Sequence, residues 1–184
     1  SWDNTVKLWN LDGNMITTLQ DHQDTVRGLS FSPDSQIIAT ASADKTVKLW
    51  STDGKLLDSL PEHDSSVRRV AFSPDGKQIA FTDWDGKGMF WTLDRQSSKA
   101  ITVSGAKPFE GISVSFSPDG KIIASGSNDR KFQLWKHDDK SIKEVQTHKK
   151  DEIIDLAFSS KGEMLATASN DGDIRLWRFD DKDN

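Results

Sequence analysis

The chain has 184 residues, a length that sets an expectation of one domain or slightly more. Its 24 Lys and Arg against 29 Asp and Glu give a formal charge of −5, which argues against a general nucleic-acid binder, since such proteins carry a basic excess or stripe. The absence of cysteine excludes a disulfide framework and Cys-ligated zinc or iron–sulfur sites; it fits a reducing compartment, and a cytoplasmic location is expected. No apolar run approaches the ~18 residues of a membrane-spanning helix, and the opening Ser1-Trp2-Asp3-Asn4 is neither a signal nor a transit peptide. Tryptophan occurs seven times and tyrosine never, which marks a copied unit rather than ordinary aromatic usage.

In chain order, the first apolar stretch is Val6-Lys-Leu-Trp9. Its ending returns in Val47-Lys-Leu-Trp50, Gly88-Met-Phe-Trp91, Phe132-Gln-Leu-Trp135 and Ile174-Arg-Leu-Trp177, a spacing of about 41 to 44 residues. Six positions before each tryptophan stands an aspartate: Asp3, Asp44, Asp85, Asp129 and Asp171. Between the tryptophans runs a second motif: Phe31-Ser-Pro-Asp-Ser35, Phe72-Ser-Pro-Asp-Gly76, Phe116-Ser-Pro-Asp-Gly120 and Phe158-Ser-Ser-Lys-Gly162. Ser-Pro-Asp-Gly is tight-turn chemistry, with proline presetting φ and Asp and Gly accommodating the turn. Within one unit the pattern predicts strands over Val26–Phe31, Gln36–Ala41, Thr46–Trp50 and Lys55–Leu60, each bounded by turn residues. Four short strands per unit are the signature of a β-propeller blade. The fold class is therefore all-β, a β-propeller of four-stranded antiparallel blades with 17 strands in this chain. The predicted divisions are a partial blade (1–20, strands c and d), three blades (21–61, 62–105 and 106–147), a partial blade (148–178, strands a, b and c) and a tail (179–184).

These residues resemble the WD-repeat β-propeller family over nearly the whole chain. The resemblance implies a hydrogen-bonded set in each blade: a His before strand a, a Ser or Thr in strand b, an Asp in the b–c turn and a Trp in strand c. The second unit supplies His22, Thr40, Asp44 and Trp50, and the fifth His148, Thr167, Asp171 and Trp177. The third keeps His63, Asp85 and Trp91 but has Phe81 where the hydroxyl belongs. The fourth keeps Ser125, Asp129 and Trp135, with Lys107 near the His position. Leaving such buried groups unpaired costs roughly 1–3 kcal/mol each, so the third and fourth units are expected to be the softer part of the array. The residue after each tryptophan (Asn10, Ser51, Thr92, Lys136 and Arg178) departs from the family's naming dipeptide at a position that lies on the surface in that family.

Other chemistry is poorly supported. His22, Thr40 and Asp44 have the residue types of a hydrolase triad, but the trio recurs in register in the fifth unit and is tied to a core tryptophan, with no oxyanion loop in view. Asp83-Trp-Asp-Gly86 opens like a calcium loop, yet Lys87 stands at its fifth position. Four scattered histidines form no zinc pattern, and no phosphate-cradling glycine loop occurs. Basic residues adjoin only in pairs, and the acidic end Asp180-Asp-Lys-Asp183 reads as a solvated tail. No catalytic residue, cofactor or metal ligand is predicted, and neither nucleic acid nor membrane is an expected partner.

The resemblance places partner docking on the rim where strand a begins and the b–c turn projects. The candidates are Thr25, Arg27, Ser66, Arg68, Glu110, Ile112, Glu152 and Ile154, with Trp2, Ala43, Trp84, Asn128 and Asn170 before the turn aspartates. Trp84 has two readings: an exposed interface residue beside Arg27 and Arg68, or a filler packed over Phe81. Seventeen strands fall short of a seven-bladed ring. The leading expectation is that the rest of a longer chain supplies the missing blades. The alternatives are a homodimer completing an eight-bladed ring and closure alone as four blades. The function expected is a non-catalytic protein–protein interaction scaffold or sensor, of the kind seen in bacterial multidomain arrays, with an unidentified protein or peptide as partner. The alternative is a small-ligand or catalytic site in the central channel. The stretch Val67-Arg-Arg-Val-Ala-Phe72 shows how apolar the expected inner strands are, with no repeated acid or His.

Overall fold

The computed structural model describes residues 1–60, 63–85, 88–93, 100–102, 111–127, 130–136, 142–146 and 152–179. Among them are seventeen strands and no helix. The first unit is a hairpin of β1 (Thr5–Trp9) and β2 (Met15–Gln20). The second is a sheet of β3 (Val26–Phe31), β4 (Ile37–Ser42), β5 (Val47–Ser51) and β6 (Leu56–Ser59). The third contains β7 (Val67–Phe72), β8 (Gln78–Asp83), β9 (Gly88–Thr92) and β10 (Ala100–Thr102). The fourth contains β11 (Gly111–Phe116), β12 (Ile122–Ser127), β13 (Lys131–Lys136) and β14 (Ile142–Gln146). The fifth has three strands: β15 (Ile153–Phe158), β16 (Met164–Ser169) and β17 (Ile174–Arg178). Every pairing is antiparallel between sequence neighbours. Among the described residues β2 pairs with β1, and the fifth sheet holds three strands.

Three strands of the second unit start one residue later than predicted, because their first amides are taken by turns. Asp34 Oδ1 accepts from Gln36 N–H (3.0 Å), Asp44 Oδ1 from Thr46 N–H (3.0 Å), and Ser51 Oγ from Lys55 N–H (3.2 Å). The Ser-Pro-Asp turn is the same device each time. Ser32, Ser73 and Ser117 each donate Oγ–H to the aspartate two residues on, at 2.6 Å. Each serine oxygen also accepts the amide that opens the next strand, at 2.8 Å (Ile37), 2.9 Å (Gln78) and 2.9 Å (Ile122). These bonds hold Asp34, Asp75 and Asp119 below the ordinary carboxylate pKa, the serine hydroxyl being the main cause. The turn's last position is left-handed: Gly76 (φ 69°) and Gly120 (φ 73°), but Ser35 (φ 59°) in the second unit. Only glycine meets that conformation without a Cβ penalty.

The core lies between units rather than inside them. Val6, Leu19, Val26, Ile38 and Trp50 join the first unit to the second. A larger cluster, including Val47, Leu49, Val67, Val70, Ile79, Phe81 and Trp91, joins the second to the third. Ala80, Phe90, Phe116, Ile123 and Trp135 join the third to the fourth, and Phe132, Leu134, Ile153, Leu156 and Leu165 join the fourth to the fifth. Each strand-c tryptophan thus shares a core with the residue three places before the preceding one. The pairs are Trp50 with Val6, Trp91 with Val47, and Trp177 with Phe132, the last edge-on at 5.3 Å. In the remaining pair the partner is Gly88, and a Cβ there would lie 1.7 Å from the Trp135 ring. Trp135 also meets Phe90 edge-on at 5.7 Å. Inner strands also come close: a Cβ at Gly28 would lie 2.8 Å from the Arg68 carbonyl oxygen.

Candidate functional site: the blade hydrogen-bond sets and the rim

In the second unit the four expected residues form one chain of hydrogen bonds. Asp44 Oδ2 lies 2.8 Å from His22 Nδ1, so the carboxylate selects the tautomer with the proton on Nδ1. His22 Nε2 is then an acceptor and takes the Thr40 hydroxyl proton at 2.7 Å. The same Thr40 oxygen accepts Trp50 Nε1–H at 2.9 Å. Asp44 also accepts from the Gln23 amide and the Thr46 hydroxyl. Burial lowers the His22 pKa, against the pull of Asp44. Burial raises that of Asp44, but bonds from Thr46, Gln23 and His22 outweigh it and leave the carboxyl lowered. Thr40 is fully buried and spends its proton on a neutral histidine whose other nitrogen is fixed. The arrangement satisfies buried groups and offers no attacking oxygen to solvent. Beside it the buried Lys48 ammonium pairs with the Asp21 carboxylate and donates to the Asp21 carbonyl at 2.9 Å, a contact no sequence motif announces.

The other units vary this plan. In the fifth, Trp177 Nε1–H donates to Thr167 Oγ1 at 3.1 Å, and Asp171 Oδ1 accepts the Asp173 amide at 3.0 Å; His148 lies outside the described residues. In the fourth, the expected bond from Trp135 to Ser125 is replaced. The Trp135 N–H donates to Gln133 Oε1 at 3.3 Å, since Gln133 pairs opposite Ser125 and its longer amide reaches the indole. Asp129 and Lys107 lie outside the described residues. In the third, Phe81 is fully buried and packs against His63, the rings tilted by 50° with their centres 4.6 Å apart. His63 Nε2 is buried without a partner among the described residues, and burial lowers the His63 pKa. Trp91 is buried and Asp85 is exposed.

On the rim a repeated clasp joins the two predicted positions. The amides of Ala43, Trp84 and Asn170 donate to the carbonyls of Thr25 (2.9 Å), Ser66 (2.8 Å) and Glu152 (3.1 Å). Asn170 Nδ2 also reaches Glu152 Oε1 at 2.6 Å, and Ser66 Oγ donates to the Ala43 carbonyl at 3.1 Å, tying the third unit to the second. Ile154 is exposed on β15. Glu110 and Asn128 lie outside the described residues, as does the side chain of Ile112. Trp84 is 42% exposed, whereas Phe81 is fully buried in the core cluster. The Arg68 guanidinium lies 4.3 Å from its ring centre and that of Arg27 lies 5.9 Å away. Arg69 Nη1–H donates to the carbonyls of Arg27 (2.9 Å) and Arg68 (3.2 Å), fixing the spacing between the units. Beside this cluster opens a concavity of about 360 Å³, lined in part by Trp2, Thr25, Arg27, Arg68 and Arg69. Among the described residues no cluster of His, Cys, Asp or Glu could hold a metal ion.

Four-stranded antiparallel units that share their cores with their neighbours, each carrying a tryptophan in its third strand, define a β-propeller of the WD-repeat class. Residues 1–184 match the family described as the IFT122 first beta-propeller, and the chain belongs to that family. A comparison with curated proteins finds no match.

Proposed function

We propose that this chain is a non-catalytic protein–protein interaction module of a larger, cytoplasmic multidomain protein, and that it engages its partner through the rim. The observation that carries this reading is the Trp84 cluster. A large aromatic side chain stands exposed between two arginines while the residues around it are built into the blade. Aromatic and arginine side chains on a rigid support are the usual anchors of protein interfaces. The family's description as a first β-propeller supports the multidomain setting. The His–Thr–Asp sets support the non-catalytic part, because in the second unit all three groups are consumed in holding Trp50. Photo-crosslinking residues placed at Thr25 and Ser66 on the rim, and at Lys55 and Lys121 in the other turns, test the reading in cells expressing the parent protein. Adducts are expected from the two rim positions and not from the turn positions. Absence of rim adducts would overturn the proposal.

A further inference from the structure

We infer that the rim cluster of Arg27, Arg68 and Trp84 takes an acidic peptide segment, with a carboxylate on Arg27 and an apolar side chain against the tryptophans. The inference rests on the rim reading above and gives its partner a chemistry. The first argument is charge. The chain as a whole is acidic, at −5, yet three arginines (Arg27, Arg68 and Arg69) meet where the second and third units join. A cationic spot on an acidic protein repels an extended polyanion while attracting a short anionic segment.

The second argument is geometry. A guanidinium resting its face on an indole keeps its N–H fork in the plane of the stack, directed past the ring edge, and that fork matches a carboxylate. Arg27, the exposed member of the pair, lies on the same ring as Arg68. Arg69 is committed to the backbone carbonyls of both, so the two strands that carry the fork are held in register. The third argument is the apolar element. Trp84 is partly open and Trp2, on the lip of the adjoining concavity, is 92% exposed. Two open indoles beside the exposed Arg27 guanidinium suit a segment in which Asp or Glu residues flank one large apolar side chain. Nucleic acid offers stacking bases as well, but its regular phosphate charge is opposed by the net charge of −5.

The test is fluorescence anisotropy with a labelled peptide of alternating Glu and Asp around a single Leu, titrated with the full chain. Controls are its Gln/Asn analogue and a single-stranded oligonucleotide of equal charge. The acidic peptide is expected to bind, and the analogue to bind at least tenfold more weakly. Arg27→Glu, at an exposed position, should abolish binding while leaving the circular dichroism and melting curve of the chain unchanged. Trp84→Ala should weaken binding by tenfold or more, and Trp84→Phe by less. Equal binding of the Gln/Asn analogue, binding indifferent to Arg27→Glu, or preference for the oligonucleotide would overturn the inference. If the peptide fails while rim crosslinks persist, the acidic-segment assignment falls and the interaction reading stands. If both fail, both fall.

Discussion

Thr40 carries more than its size suggests, because two other buried groups depend on its single oxygen. Thr40→Val keeps the shape but strands the Trp50 N–H and His22 Nε2. At roughly 1–3 kcal/mol for each orphaned group, we expect a loss of about 2–6 kcal/mol in urea unfolding with the slope unchanged. Thr40→Ser retains the hydroxyl and should lose less than about 1 kcal/mol. His22 and His63 both sit below the ordinary imidazole value of 6.5, chiefly through burial. A lowered folded pKa means that the unfolded chain takes the proton first. Their contribution is therefore whole above about pH 6.5 and is lost as pH falls from there through the folded values. Asp44, held below 3.8, adds a later loss as pH falls through its own lowered pKa. Denaturation stability should be flat between about pH 8 and 7 and decline below about 6.5. His63→Leu removes the unpartnered nitrogen and should make that decline shallower. A rise in stability between about pH 7 and 5 would contradict the assignment. Asp44 and Trp50 were readable from a repeated spacing and His22 and Thr40 from the family's pattern, whereas the orphaned His63 nitrogen followed only from noticing Phe81 in a hydroxyl's place.

At the scale of the strand, Gly88 comes closest to a neighbouring unit among the described glycines, at the Trp135 ring. Val6 and Val47 occupy the positions equivalent to Gly88, yet valine does not fit at 88, where even a Cβ would fall 1.7 Å from the ring. Gly88→Val is expected to cost about 1–3 kcal/mol, the usual range for overpacking. Adding Trp135→Leu should return part of that loss, and a double-mutant cycle measures the coupling. Simple additivity would show that the two residues do not share the space. Strand number, order and turn type were legible because two motifs repeat in fixed phase, each with a local mechanism in serine, proline and aspartate. The contacts of Gln133 and Lys48 were not legible. A long polar side chain in a strand has no spacing signature, and its partner is set by the length of its reach and by what the opposing strand lacks. The Arg27–Trp84–Arg68 stack lay between these cases, since the rim positions came from the family's pattern while the stacking itself depends on how two units are spaced.

Across the whole molecule, stability is distributed as junctions between neighbours, as expected of a repeat array. The second unit has the complete hydrogen-bond chain and contributes to the largest inter-unit cluster, so amide exchange should be slowest in β4 and β5. Slowest exchange in β8–β9 or β12–β13 would contradict this order. The outer face of β17 shows what a junction does when uncovered. Ile174 and Leu176 are 75% and 69% exposed, while Val47 and Leu49, their counterparts on β5, are buried under the next unit. Three of the bonds that cross between units have a further property in common. Arg69 to Arg27, Phe72 to Ser30 and Ser113 to Asp155 each span 42 positions, one repeat. Joining one unit to the last therefore closes a loop of the same length each time, and the entropy of closure, which grows with the logarithm of loop length, does not rise along the chain. The time needed to fold is then governed by the docking of a single unit onto its predecessor, and lengthening the array adds steps without making any step slower.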